Sequence, residues 1–281
     1  MESEIKKYES EGQGTLGKCP APQDPTASGP PSYDAEGGTI FPGYPSPLTQ
    51  EYLRSLAEKY NDPEYFKEDP VMFPRHFVKL LEEEKACLHD VEIAGLLAAH
   101  LAWGRRAMIV RDCNRMFDEM GWKPYEYVMA GRYRDEDASL HRTIKWSEFA
   151  AICSRLKDYY TESESLEYLS PDEMRVRIFG QKSNLKAANK KIHMFRRWMV
   201  RRDGIIDFGL WRHTDPAELI IPLDVHVHTT AKNMGITGRN SADFSTALEI
   251  TDYFRKLFPD DPCKGDFALF GYGVTGGNKP E

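Results

Sequence analysis

Asp90-Val91-Glu92-Ile93-Ala94-Gly95-Leu96-Leu97-Ala98-Ala99-His100-Leu101 decides the fold class. Ile93, Leu96, Leu97, His100 and Leu101 recur at the 3-4-3 spacing of one helical face. Asp90 stands at the start, and the stripe can be followed through Ile109 towards Met116. The same period returns along the chain. Leu53, Leu56 and Tyr60 follow a Thr49 cap, and Phe149, Ile152, Cys153, Leu156 and Tyr160 follow Ser147. Ser183 opens a segment whose Leu185, Ile192, Phe195, Trp198 and Met199 share a face. Thr214-Asp215-Pro216 is a cap with proline at the first helical position, starting a short helix that Pro222 ends. Phe244, Leu248, Thr251, Phe254 and Leu257 make a further stripe. Strand-like alternation is confined to residues 220–228. These spacings predict an all-α, multi-helix globule.

The first 48 residues differ from the rest. They hold eight of eighteen prolines and seven of twenty-one glycines, and carry three basic against seven acidic side chains. Few aliphatics interrupt them, so ordering this stretch costs entropy that little burial offsets. The sequence therefore divides into a flexible, acidic Pro/Gly-rich extension, 1–48, and an all-α domain, 49–281.

Thirty-seven basic and forty-four acidic residues among 281 give a net charge of -7, which excludes a wholly basic nucleic-acid coat but not a local basic face. No apolar run approaches the ~18 residues of a membrane span, and residues 1–11 are charged where a signal peptide is apolar. The five cysteines (Cys19, Cys87, Cys113, Cys153, Cys263) are scattered and form no C-x-x-C pair. A disulfide framework or cysteine-built metal site is thus not expected, and the expectation is a monomer of the reducing cytoplasm with no membrane contact.

Three stretches carry candidate chemistry. In Pro222-Leu223-Asp224-Val225-His226-Val227-His228, Asp224 is placed to cap the next helix. A carboxylate there is also a functional candidate, because the positive helix end keeps it ionised without neutralising it. Read as a strand, the same letters put Asp224, His226 and His228 on one face, a metal-ligand set and the alternative reading of a metal-dependent hydrolase. The repeated βα units that such barrels need are missing.

The second stretch, 182–202, holds Lys182, Lys186, Lys190, Lys191, Arg196, Arg197, Arg201 and Arg202 and no acid. It is either a solvated face paired with acids elsewhere or a surface that contacts phosphates. A lysine among cations has a lowered pKa, the route to an amine nucleophile, which makes Lys190 and Lys191 candidates. The third stretch, Phe267-Ala268-Leu269-Phe270-Gly271-Tyr272-Gly273, reads as tightly packed core. Residues 69–77 read as structural, and His76, His100 and His141 as satisfied polar residues rather than ligands.

Leu223-Asp224-Val225-His226-Val227, followed by a helix ending near Met234-Gly235, resembles the "V-D-T-H-V … R-L-G" segment of helix-hairpin-helix DNA glycosylases. Across most of the chain the resemblance is closer to the domain-of-unknown-function-2400 family. The phrases DVEIAGLLAAHLAWGRR from Asp90, MFRRWMVRRDGIIDFGLW from Met194, LIIPLDVHV from Leu219 and DFALFGYGV from Asp266 carry it. The glycosylase resemblance implies a two-lobed helical fold, double-stranded DNA as partner, and excision of a flipped-out damaged base, oxidised guanine first. Asp224 matches that family's catalytic aspartate, and a lysine would form a Schiff base with the sugar. The family's hairpin falls here on Gly204-Ile205-Ile206-Asp207-Phe208-Gly209-Leu210, which lacks its proline and lysine, so the lysine moves upstream to Lys190 or Lys191. Thr229 and Asn233 stand where two arginines are usual. Lys182, Lys186, Arg196, Arg197, Arg201 and Arg202 would meet DNA phosphates, and Trp103, Trp198 and Trp211 are the available stacking rings. No four-cysteine cluster follows Gly273, so no iron–sulfur cofactor, and no other cofactor, is expected. The alternative is a non-catalytic nucleic-acid-binding module.

Overall fold

The computed structural model describes residues 50–274 and, before them, one antiparallel pair of short strands, β1 (Ser32–Tyr33) and β2 (Thr39–Ile40). The extension expected over 1–48 otherwise lies outside the described residues.

The described domain is helical. α1 (Gln50–Tyr60) and α2 (Met72–Glu82) lead into α3 (Leu88–Leu101), α4 (Arg106–Glu119) and α5 (Pro124–Ala130). A small hairpin, β3 (Ser139–His141) with β4 (Ile144–Lys145), precedes α6 (Trp146–Tyr160). The short α7 (Pro171–Glu173) runs into a π turn at Met174–Ile178. α8 (Lys190–Val200), α9 (Val225–Asn233), α10 (Phe244–Leu257) and α11 (Lys264–Val274) complete it. The fold is all-α, as the apolar spacing predicts. Among the described residues no helix is long and apolar enough to cross a membrane.

α3 is the central post, packed by α2, α5 and α8. Val91, Ile93, Ala94, Leu96, Leu97, Ala98, Ala99 and Leu101 are all buried, so it is apolar around its circumference rather than along one stripe. Gly95 makes the crossing with α8 close: a Cβ there would lie 2.9 Å from Phe195 Cε2. Glu92 is the buried exception. It accepts from Ser165 Oγ at 2.5 Å, Trp211 Nε1 at 2.7 Å, Tyr160 Oη at 2.9 Å and Leu166 N at 3.2 Å, tying three segments to the post.

Four local expectations are corrected. The stripe from Asp90 does not continue to Met116; it breaks at Ala102-Trp103-Gly104-Arg105, where Gly104 takes φ +105°, open to glycine and strained for other residues. Asp90 does not start the helix but sits in its first turn, accepting from Cys87 N at 2.9 Å while its other oxygen takes Tyr125 N at 2.9 Å. Ser183 opens no helix either. Its hydroxyl donates to Asp172 Oδ2 at 2.6 Å and Asn184 N donates to Asp172 Oδ1 at 2.9 Å, fixing a loop that leaves Leu185 76 % exposed and delays α8 to Lys190. The alternation in 220–228 forms no strand: Asp224 caps α9, and the following residues are helical.

Candidate functional site

The break between α3 and α4, the start of α8, the π turn and the start of α9 meet around one cleft. Its larger chamber, about 690 Å³, is walled by His100, Ala102, Trp103, Gly104, Arg106, Arg175, Phe179, Asn189, Lys190, Lys191, Asp224 and His226, among others. A second chamber, about 480 Å³, shares Asp69, Arg106, Lys190, Met194, Asp224 and His226 with the first and adds an apolar wall of Phe66, Trp198, Phe267 and Phe270. Lys190 and Asp224 therefore stand at the junction.

Local sequence explains the placement. Asp224 is the N-cap of α9, and its Oδ1 accepts from Val227 N at 2.8 Å. Oδ2 is left facing Lys190 Nζ at 3.7 Å, both side chains half-buried. Lys190 is the first residue of α8, so its stem projects past the helix end; its Nζ also donates to Ala102 O at 3.2 Å, in the α3–α4 break. Asn189, which precedes it, is held at φ 44° while its Oδ1 accepts from Arg175 Nη1 at 3.0 Å. The π turn carrying Arg175 is itself a rare geometry that recurs at functional sites.

Charge is distributed unevenly. Arg106, Arg175, Lys190 and Lys191 line the larger chamber against Asp69 and Asp224. Burial pushes the Lys191 amine down to about 8, with the Lys190 charge beside it acting in the same direction. Burial also lowers His100 to about 3, helped by Lys191, so this histidine, stacked on Phe179 at 4.9 Å, is a neutral wall. Asp69 is pushed up by burial, against the pull of Val71 N, Arg106 and Lys190. Residues 69–77, read as structural, thus contribute Asp69 to both chambers.

The cationic stretch divides by helix face. Lys182, Lys186 and Arg202 are exposed, and Arg196 is partly covered, donating to Leu169 O at 3.1 Å. Arg197 and Arg201 turn inward. Arg197 Nη1 meets Asp266 Oδ2 at 2.5 Å and its Nε meets Asp207 Oδ1 at 3.4 Å. Arg201 meets Asp207 at 2.5 Å, Asp261 at 2.8 Å and Asp203 at 3.0 Å. Both guanidiniums lie over the Phe267 ring at 4.9 Å. A phosphate-facing role does not fit these two buried arginines. Of the three candidate tryptophans, Trp211 is core, Trp198 is buried yet backs the second chamber, and Trp103 borders the larger one. The metal set is not assembled: on a helix His226 faces the cleft, while His228 Nε2 pairs with Arg239 O at 2.9 Å. Among the described residues no cluster of three or more His, Cys, Asp or Glu suits a metal ion. The third stretch packs against α1 and α9, but Phe267 and Phe270 also wall the second chamber, which a reading as core alone does not foresee.

The protein is thus an all-α globule that pairs an amine with a carboxylate where a chamber rich in cations meets an apolar one. The chain belongs to the protein family of unknown function DUF2400, whose profile matches residues 69–183 and 170–275. Neither the curated proteins nor the solved structures contain a match to it.

Proposed function

We propose that this is a DNA-binding protein of DNA glycosylase type, with Lys190 and Asp224 as its reacting pair and a damaged base, oxidised guanine first, as its target. The observation that carries the reading is the 3.7 Å approach of Lys190 Nζ to Asp224 Oδ2 where the two chambers join. In this reading the amine of Lys190 attacks C1′ of a flipped-out nucleotide, and the bond from C1′ to the base nitrogen breaks. The departing base takes the bonding electrons and a proton. Asp224 takes the ammonium proton of Lys190 beforehand and passes it to the departing base. The carboxylate so regained stabilises the positive charge on the sugar while the ring opens to an iminium on Lys190, O4′ taking the proton released from the new C1′–N bond. Arg106, Arg175 and Lys191 supply the charge that draws a phosphodiester to the larger chamber, and Lys182, Lys186 and Arg202 extend it along the surface. The two-lobed glycosylase architecture, a monomeric state and a cytoplasmic, DNA-repair setting belong to the same proposal.

The test is a panel of duplexes, each with one damaged base, given to wild type and to Asp224→Asn, which keeps the cap and its shape while removing the charge. Base release by wild type that drops by a hundredfold or more in the variant supports the reading. Equal release by both proteins, or none from any duplex, leaves Asp224 a helix cap and the protein a binding module.

A further inference from the structure

His141 lies outside the cleft and has no part in the chemistry above, yet it is fully buried with both ring nitrogens engaged. Nδ1 is 2.8 Å from Asp112 Oδ2, and Nε2 is 2.9 Å from Trp103 O. A carbonyl only accepts, so Nε2 carries a proton. Burial alone would raise Asp112, but hydrogen bonds from Arg111 and His141 outweigh it and hold the carboxyl below its usual range, leaving the ring opposite an ionised partner. Arg111 Nε at 2.8 Å and Arg115 Nη1 at 3.3 Å complete the shell around the other Asp112 oxygen.

The carbonyl that His141 grips belongs to the four-residue break between α3 and α4, and the preceding carbonyl, Ala102 O, is the one that accepts from Lys190 Nζ. This break is therefore held from behind by His141 and touched from the cleft by the amine. Arg142, next in sequence to His141, lays its guanidinium 4.2 Å from the Trp103 ring centre, and Gly104 packs against the same side chain. Backbone bonds hold the ends of this segment, Ala102 N donating to Ala99 O at 3.2 Å and Arg105 O accepting from Ile109 N at 3.1 Å, and Trp103 N turns back to Leu101 O at 2.7 Å. The Trp103 carbonyl takes no helical partner, so its direction depends on these outside contacts.

We infer that His141, held by Asp112, is a positioning residue for Lys190: by fixing the Trp103 carbonyl it fixes Ala102 O, and with it the direction in which the Lys190 amine points relative to Asp224. This rests on the proposed role of Lys190 and is separable from it. Misplacing a reacting atom by about 1 Å costs up to 10²-fold in rate, whereas binding of the DNA, made by cations elsewhere on the cleft and surface, stays unchanged.

The probe is a duplex with one abasic site, whose open-chain C1′ is already an aldehyde. Amine addition and loss of water give an imine that borohydride reduces to a stable adduct, so lysine placement is read without any base excision. Gln places an amide nitrogen near the His Nε2 position and can still donate to Trp103 O, while Asn reaches only towards Asp112. Trapping by His141→Gln within about threefold of wild type, with His141→Asn slower by tenfold or more at unchanged DNA affinity, is the expected result. Gly104→Ala, at an exposed position in the same break, is expected to slow trapping likewise and keeps the test open if His141→Asn does not fold. Equal rates in wild type, His141→Asn and Gly104→Ala overturn the inference. Equal losses in Gln and Asn also overturn it, since they mark a residue needed only for the core. No adduct with wild type removes the Lys190 chemistry itself, and the positioning role with it.

Discussion

Arg197 Nη1 lies 2.5 Å from Asp266 Oδ2, joining cationic α8 to the first turn of α11 in the wall of the second chamber. Together with Arg201, Asp207, Asp203 and Asp261 it forms a buried ionic knot, and this knot takes up half of the arginines that local charge counting assigns to DNA. Replacing Arg201 with Met leaves Asp207, which is fully buried, without its closest cation. A stability loss of about 3–5 kcal/mol is expected in urea titrations.

The exposed cations behave differently. Lys182→Ala and Lys186→Ala are expected to leave the unfolding midpoint within about 0.5 kcal/mol of wild type. Each is expected to flatten the salt dependence of duplex-DNA affinity by up to about 0.9 in logarithmic slope, one phosphate contact apiece. Fluorescence anisotropy across a salt series checks both. A slope that does not move removes the surface from the DNA-binding proposal.

Lys191 provides a pH signature. Its amine titrates at about 8 in the folded protein against 10.5 when free, because burial and Lys190 disfavour the charge. Between those values the unfolded chain binds more protons than the folded one, so this residue makes stability rise with pH across that window. The cost of the buried charge is fully present below pH 8 and gone above about 10.5. Lys191→Gln is expected to melt higher than wild type at pH 7, with the difference fading through the window; a gain independent of pH contradicts the assignment.

Glu92 is the anchor of the central post. Glu92→Ala strands Trp211 Nε1, Tyr160 Oη, Ser165 Oγ and Leu166 N in the core, at an expected loss of about 3 kcal/mol or more by chemical denaturation. Gly271→Ala tests the α1–α11 contact. A Cβ there overlaps the Tyr60 ring, and a loss of about 1–3 kcal/mol is expected.

Helix periodicity made the fold class legible, because α1 and α6 each bury one regular stripe; α10 does too, though its buried face runs through Ala247 and Ile250 and leaves Leu248 exposed. It misplaced two boundaries because groups outside the local pattern claim the backbone or the capping side chain there. Gly104 breaks the α3–α4 stripe where Trp103 O is claimed by His141, a contact 38 residues away, and Ser183 spends its capping oxygen on Asp172. Asp224 was visible in the sequence because a cap before a helical pattern is a local signal. Lys190 and Lys191 stood out by charge, but which of them meets Asp224 depends on the αL turn at Asn189. Asp69, Arg106 and Arg175 carry no local signature; they reach the cleft through tertiary packing alone. The inward turn of Arg197 and Arg201 follows from their acidic partners, of which Asp261 and Asp266 lie some 60 residues downstream.

The most direct test of the central claim is peptide mapping of a borohydride-trapped adduct on a duplex carrying oxidised guanine. The account expects one cross-linked peptide with the DNA on Lys190 and loss of that adduct in Lys190→Met, while Lys191→Gln still cross-links. An adduct on another lysine, or none under conditions where the protein binds the duplex, contradicts it.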